Sequence, residues 1–381
     1  MIKRNEGQTV MRPVTRGSET SEEPIMYVFN NEDNMGFTIV AANRSQQPLI
    51  AVTEYGNYTF GEPTGVEPFD LLMEDVATTL AIIDEPMAIK EETIILDYNN
   101  HYGPLTNVQW GTGTIYGAMY PDGIAYDEAT AIAQAMLCTT TDATYLVTNP
   151  NSVNYGQIIT LNKSELGKHI RYNYHGLLQN GCTTSTHNQI SELFLEIGYR
   201  LSNGTSINLA NKNQSFPLSK VQNVLSSFGA DVDYVQPYSS YHIQLSANPI
   251  YEVYDPDVYV FRGVYKDYEL IPTNAHTWIS TGHRGYIYEV IEYTLNKFID
   301  PSHPNPNGYT ETNRVRKYDY ILYINWGFDG HSNGWFNSGC FDMSKRIESD
   351  APSIIEPMPT LNYNFVNIQS FKIDNIGYII Y

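Results

Sequence analysis

The spacing of apolar and polar positions divides the chain into two units that follow a polar N-terminal segment, residues 1–24, which is expected to be flexible. From residue 25 the runs FTIVAA and LIAVTEYG alternate with turn residues such as Asn34-Met35-Gly36, a pattern typical of strands rich in β-branched side chains. The stretch EPFDLLMEDVATTLAIIDE then predicts an amphipathic helix, whose apolar face comprises Leu71, Leu72, Val76, Leu80 and Ile83. Residues 25–103 are therefore predicted to form a small α+β unit.

The second unit, residues 104–381, has helical patterns first and strand patterns afterwards. A first helix is predicted to begin at Asp127. A second lies in STHNQISELFLEIGYRLSNG, where Thr186 and Gln189 have capping-box spacing, and a third lies in FPLSKVQNVLSSFG. Strands are predicted in DVYVFRGVY, HTWISTG, GYIYEVIEYTL, YDYILYINWG and FKIDNIGYIIY. Helices followed by strands within one unit indicate an α+β fold.

Composition and charge exclude several functions. The 381 residues are 42% hydrophobic, which is enough for a substantial core. The formal net charge of −20 argues against binding to nucleic acid or anionic lipid, since both require a basic surface. No run of about 18 apolar residues predicts a membrane span. The first residues lack the apolar core of a signal peptide, so we expect either a cytoplasmic protein or a mature or trimmed form of an exported one.

The thiols and histidines predict no metal centre and no cofactor. Cys138, Cys182 and Cys340 are too few and too scattered for a disulfide framework or a zinc site, so we expect buried, apolar thiols. His276 and His283 flank a predicted turn without a nearby cluster of carboxylates or cysteines. Metal binding there is therefore not expected.

Three segments, in chain order, resemble the streptopain family of papain-like cysteine peptidases. QWGTGTIYG resembles the family segment whose glutamine lines the oxyanion hole. DEATAIAQAM resembles the start of the helix that carries the catalytic cysteine. NAHTWISTGHRG and LYINWGFDGHSNGWFNSG resemble the histidine strand and the asparagine–tryptophan segment. GFTIVAAN resembles a strand of the family's propeptide, so that the resemblance covers roughly residues 25–381.

The resemblance implies a papain-like fold, with a helical part and an antiparallel β part, preceded by a small α+β propeptide-like domain. It places His276 at the catalytic histidine, 149 residues after Asp127, which fits papain-like spacing. It places Asn325 and Trp326 in the segment that flanks and orients that histidine. Two positions depart from the family pattern: Asp127 stands where the cysteine belongs, and Thr112 where the oxyanion glutamine belongs.

These departures predict a protein without peptidase activity. A thiolate at a helix N-terminus is the nucleophile of this family, whereas attack of a carboxylate on an amide gives an unfavourable mixed anhydride. Each missing oxyanion donor removes on the order of 3 kcal/mol of transition-state stabilisation. Asp127 instead suits a helix cap that pairs with protonated His276. Asp329 and His331, beside the tryptophan, replace glycine-rich positions of the family and either reshape the pocket or belong to a polar surface loop.

Three functions remain open from the sequence. The first is an inactive homologue that keeps its propeptide-like domain and binds a peptide, a glycan or another protein. The second is an active peptidase that uses a displaced thiol, Cys182 in NGCTTSTHNQ, together with His276. The third is inhibition of active peptidases through the propeptide-like domain. The resemblance also implies a secreted or cell-envelope location.

Overall fold

The computed structural model describes residues 8–11, 24–42, 49–82, 89–113, 115–138, 144–167, 184–204, 215–239, 258–266, 272–295, 309–341 and 365–373. Its helices are α1 (Glu67–Ile82), α2 (Asp127–Cys138), α3 (Lys163–Leu166), α4 (Thr184–Leu201) and α5 (Leu218–Ser227). Its strands are β1 (Gln8–Met11), β2 (Pro24–Asn30), β3 (Phe37–Ala41), β4 (Leu49–Thr53), β5 (Ile89–Tyr102), β6 (Thr144–Leu146), β7 (Ile158–Thr160), β8 (Gln236–Pro237), β9 (Val258–Lys266), β10 (Pro272–Leu295), β11 (Tyr309–Asn325), β12 (Gly334–Asn337) and β13 (Phe365–Ile373).

The N-terminal unit forms an antiparallel meander of β2, β3 and β4 with helix α1 packed on it. The segment 1–24, expected to be flexible, contains strand β1, which pairs with β2 because its backbone groups find partners there. The predicted turn at Asn34–Gly36 is present. Gly36 has φ +86°, and a Cβ atom there would lie 2.0 Å from the carbonyl oxygen of Thr53, so only glycine fits the turn. Helix α1 buries Phe69, Leu72 and Met73 against the meander.

Helices α2, α4 and α5 form the helical part of the second unit. The predicted apolar stripe of α4 is fully buried in it: Ile190, Leu193, Phe194, Ile197 and Leu201. Helix α4 begins at Thr184, two residues before Thr186, the predicted cap. Thr186 is buried inside the first turn. Helix α5 begins after Pro217, as its sequence predicts.

Within the described residues, eleven strands form one sheet in the order β1-β2-β3-β4-β12-β11-β10-β9-β13-β8, with β5 also paired to β10. The sequence predicts two strands, HTWISTG and GYIYEVIEYTL, where the structure has the single strand β10. The glycine signals mark a shift of register between Ser280 and Gly282, and pairing with β11 continues through it. Of the predicted strand FKIDNIGYIIY, Phe371–Ile373 belongs to β13 and residues 374–381 lie outside the described ranges.

The sheet and a shared apolar core join the two units. Strand β4 pairs with β12, so that Ala51, Val52 and Thr53 lie opposite Phe336, Trp335 and Gly334. One hydrophobic cluster contains residues of both units, among them Phe37, Phe69, Trp278, Trp326 and Phe365. The N-terminal unit therefore completes the core of the β part. None of the helices in the described ranges is long and apolar enough to span a membrane.

Candidate functional site

The site begins at the N-terminus of α2. This helix packs small and apolar side chains on nearly every side, so it lies deep in the helical core. Asp127 is its first residue, and its side chain remains 34% exposed. A carboxylate at this position is stabilised by the positive end of the helix dipole.

His276 lies on β10, opposite Gly263 of β9, and is 2% exposed. Its Nδ1 atom lies 2.5 Å from Oδ2 of Asp127. Its Nε2 atom lies 2.7 Å from the carbonyl oxygen of Trp326. The structure thus brings Asp127, His276 and Trp326 together across the helical and β parts of the fold.

Both partners of the His276 ring are oxygen atoms, which bears on how many protons the ring carries. A carbonyl oxygen can only accept, so Nε2 must carry a proton, and Nδ1 faces a carboxylate. Burial alone lowers the pKa of His276, but the charge and hydrogen bond of Asp127 and the Trp326 carbonyl raise it, with a net rise above the ordinary value. The Trp278 ring lies nearly parallel to the imidazole, with centroids 6.0 Å apart, and favours a cation. The Asp127 carboxyl group and the Trp326 carbonyl therefore both favour the protonated form of His276.

The carbonyl group that holds His276 is itself fixed. The backbone N–H of Trp326 donates to Oδ1 of Asn333 at 2.9 Å, and its indole Nε1 donates to the Ser332 carbonyl at 3.1 Å. Sequence reasoning did not identify Asn333, because its role depends on the folded 327–333 loop. Trp326 is thus held through both its backbone N–H and its indole ring.

The hydrogen bonds of the Asn325 side chain go to groups other than His276. Its amide Nδ2 donates to the Val108 carbonyl at 2.8 Å and to Oε1 of Gln134 at 2.5 Å. Its Oδ1 accepts from the N–H of Gly327 at 3.1 Å. Asn325 therefore joins the 325–327 segment to α2, and the atom that orients His276 belongs to the Trp326 backbone.

Thr112 lies in a loop that is attached to the start of α2. Its carbonyl accepts from the N–H of Ala125 at 2.7 Å, and the Gly111 carbonyl accepts from Oγ1 of Thr130 at 3.0 Å. A Cβ atom on Gly111 would lie 2.7 Å from both carboxylate oxygens of Asp329. The carboxyl group of Asp329 thus lies directly against the loop in which the resemblance places the oxyanion glutamine, where a negative charge would oppose a developing oxyanion.

A second carboxyl group, Glu128, is buried beside the pair and was not identified from the sequence. It accepts from the N–H of Phe216 at 2.9 Å and from Oγ of Ser215 at 3.1 Å, and Arg262 donates to the same Ser215 oxygen at 3.0 Å. Burial, followed by the charge of Asp127, raises the pKa of Glu128 to about 7. A charged residue within an otherwise apolar helix face was the available signal.

Of the two thiols in the described ranges, Cys138 is a poor nucleophile. Burial raises the pKa of Cys138 to about 12, so that its thiolate is scarce at neutral pH. Cys340 is half-buried against the shared core. Cys182, the candidate for a displaced nucleophile, lies outside the described residues. Across the described ranges, no group of three or more His, Cys, Asp or Glu side chains is placed to hold a metal ion.

The N-terminal unit reaches the site through α1. The Phe69 ring meets the Trp326 ring edge-on, with centroids 6.4 Å apart. The hydroxyl of Tyr265 donates to Oε2 of Glu67, the first residue of α1, at 3.0 Å. Burial and the charges of Glu67 and Asp127 raise the pKa of Tyr265. The Tyr265 hydroxyl is therefore close enough to Asp127 to interact with it electrostatically.

Comparison with known proteins gives two kinds of similarity. Residues 2–78 match the family described as Spi protease inhibitor. A solved structure of a mutant prointerpain A fragment from Prevotella intermedia superposes over 98% of this chain and 100% of its own, with a TM-score of 0.53 and 15% identity. The active wild-type interpain A cysteine protease of that organism covers 73% of this chain and 98% of its own, with a TM-score of 0.41 and 15% identity. No curated protein matches the sequence.

The fold predicted from the sequence is confirmed by this similarity. The chain has the papain-like α+β architecture, with an antiparallel sheet and an N-terminal propeptide-like region. At 15% identity the likeness concerns the fold, and activity has to be argued from the site.

Proposed function

We propose that this chain is a streptopain-like protein without peptidase activity, which keeps its N-terminal unit and acts by binding. The observation that carries the proposal is the 2.5 Å contact between Oδ2 of Asp127 and Nδ1 of His276. Asp127 occupies the nucleophile position of the resemblance, and the histidine that would activate a nucleophile is already paired.

The chemistry of the pair supports inactivity. An imidazolium cannot accept a proton, so His276 is a poor general base while the pair is intact. The Asp127 carboxylate would form a mixed anhydride with an amide substrate, and Asp329 places a negative charge against the loop that holds Thr112. Relative to the family pattern, the nucleophile and one oxyanion donor of acyl transfer are therefore missing.

Retention of the N-terminal unit is supported by its contacts. The segment that leads from α1 into the second unit includes β5, which is hydrogen-bonded to β10 over its length. Strand β4 pairs with β12, and Oδ2 of Asp75 accepts from the N–H of Phe365 at 3.1 Å. Loss of the unit would expose the shared core, so we infer that the two units remain together.

A protein of this fold without peptidase activity can still act by binding. The Asp127 side chain is partly exposed, so a ligand such as a peptide or protein segment can reach it. The resemblance supports a location outside the cytoplasm. Inhibition of another peptidase is less well supported, because the face of α1 that carries Phe69 and Leu72 is already covered within this chain.

The test is hydrolysis of a set of fluorogenic peptides under reducing conditions by the native chain, a His276→Ala variant and a Cys182→Ser variant. We expect all three to release fluorophore at the rate of buffer alone. Turnover that disappears in both variants would establish the displaced-thiol peptidase and refute the proposal. Labelling of Cys182 by a thiol-alkylating peptide probe, lost on His276→Ala, would do the same.

A further inference from the structure

The hairpin of residues 144–160, here called the β6–β7 hairpin, presents apolar side chains to solvent. Leu146 is 51% exposed and Ile158 73%, and they are cross-strand partners, so they lie on one face. Val153 and Tyr155, in the connecting loop, are 85% and 61% exposed. Four large apolar side chains of this one short segment are thus exposed.

The loop of this hairpin is held by a buried carboxylate. Glu196 of α4, 2% exposed, accepts from the N–H and the hydroxyl of Thr148 at 3.0 and 2.6 Å, and from the N–H of Asn149 at 3.1 Å. One turn earlier on the helix, Glu192 accepts from Oγ of Ser152 at 2.7 Å. Glu192 and Glu196 of α4 therefore both hold the connecting loop by hydrogen bonds.

Arg200 completes this support. It pairs with Glu196 at 2.8 Å and donates to the Leu146 carbonyl at 2.7 Å, while its guanidinium lies 4.2 Å from the centroid of the Phe228 ring. Within the loop, the N–H of Gly156 donates to the Val147 carbonyl at 3.0 Å. The exposed side chains are thus carried on a preorganised backbone, which lowers the entropic cost of binding a partner.

Charge indicates the chemistry of that partner. The β6–β7 hairpin has no charged residue in its sequence, TYLVTNPNSVNYGQIIT, although the chain has a net charge of −20. Interface centres are depleted in charge and rich in aromatic residues, and binding loops favour Tyr, Asn, Ser and Gly, as here. The acidic molecule attracts a basic partner and repels a second copy of itself.

We propose that the β6–β7 hairpin is a docking surface for a partner protein whose facing patch is apolar and whose rim is basic. The proposal concerns a surface formed by α4 and the hairpin and does not depend on the Asp127–His276 pair. The apolar side chains supply the buried centre of the interface, and the net charge of the chain steers the basic rim toward it.

The test is selection of a random linear peptide library, displayed on phage, against the immobilised full chain. We expect selected peptides that combine aromatic or aliphatic residues with Lys or Arg. Their affinity, measured by fluorescence polarisation, should fall about tenfold or more in a Tyr155→Ser/Ile158→Thr double variant. It should be unchanged in Met35→Thr, a control at a similarly exposed apolar residue of the N-terminal unit, and should weaken as salt is raised.

Four results would overturn the proposal. They are the absence of a consensus peptide, an acidic consensus, equal affinity for the native chain and the double variant, and a native dimer in sedimentation that the double variant abolishes. The last result would assign the surface to self-association. Because the substituted side chains are exposed, we expect both variants to retain the native melting temperature, and this comparison shows that a loss of binding is not a loss of fold.

Discussion

Asp127 and His276 stabilise each other across the junction of the two parts of the papain-like unit. The sequence is sufficient to place Asp127 at a helix start and His276 on a strand, because both segments have recognisable local patterns. That the histidine bonds the Trp326 carbonyl rather than the Asn325 side chain could not be predicted, since it depends on the path of the 325–333 chain. Glu128 was missed for a similar reason: its partners, Ser215 and Phe216, come from a distant segment.

The raised pKa of Glu128 makes stability depend on pH. Its folded-state value of about 7 lies above the ordinary 4.5, so the folded state favours the protonated carboxyl. Relative to a Glu128→Gln variant, the native chain should lose on the order of 3 kcal/mol of unfolding free energy as the pH rises from about 4.5 to about 7, and no more above it. Urea unfolding at a series of pH values measures this difference, and a difference independent of pH would contradict it.

Among the elements, helices were predicted best, because their apolar stripes are set by local periodicity. Strands β6 and β7 and helix α3 were not predicted, since each has only three or four residues, too few to show a periodic pattern. Strand β10 was divided in two because its glycines resemble turn signals. The register shift they mark becomes apparent only when the neighbouring strands are paired with it.

The buried Glu196 of helix α4 is predicted to contribute to the stability of the fold. Replacing Glu196 by alanine removes the acceptor of three hydrogen bonds and leaves Arg200 without its carboxylate. We expect the free energy of unfolding to fall by about 3 kcal/mol. Amide hydrogen exchange of Thr148 and Asn149 should become faster. Glu62→Ala, at an exposed loop position, is the control and should change stability by less than about 0.5 kcal/mol. Equal stability of the two variants would show that the buried carboxylate does not hold the loop.

At the scale of the whole molecule, the two predicted units share one sheet and one core. The sequence indicates two units because their local patterns differ, but it contains no local signal for the pairing of β4 with β12 or for the packing of Phe69 on Trp326. Contacts between residues far apart in sequence, such as Asp75 with Phe365, can be read only from the fold. The N-terminal unit is thus part of the structure that holds the site.

This shared core predicts that cutting the chain does not release the N-terminal unit. A protease recognition sequence placed within residues 83–88 leaves α1 and β5 whole on either side. After cleavage we expect both fragments to elute together in size-exclusion chromatography and to unfold in one transition, because separation exposes large apolar side chains such as Phe37, Phe69 and Phe336. A folded C-terminal fragment that elutes alone would contradict the retention of the unit.

Histidine NMR distinguishes a carboxylate–imidazolium pair at the nucleophile position from a neutral His276. In the native chain labelled with ¹⁵N-histidine, both ring nitrogens of His276 should remain protonated at a pH where exposed histidines have become neutral. In Asp127→Asn the pKa of His276 should fall, since burial then acts without the compensating charge. A neutral His276 in the native chain at neutral pH, with a titration unchanged by Asp127→Asn, would show that Asp127 and His276 do not form such a pair.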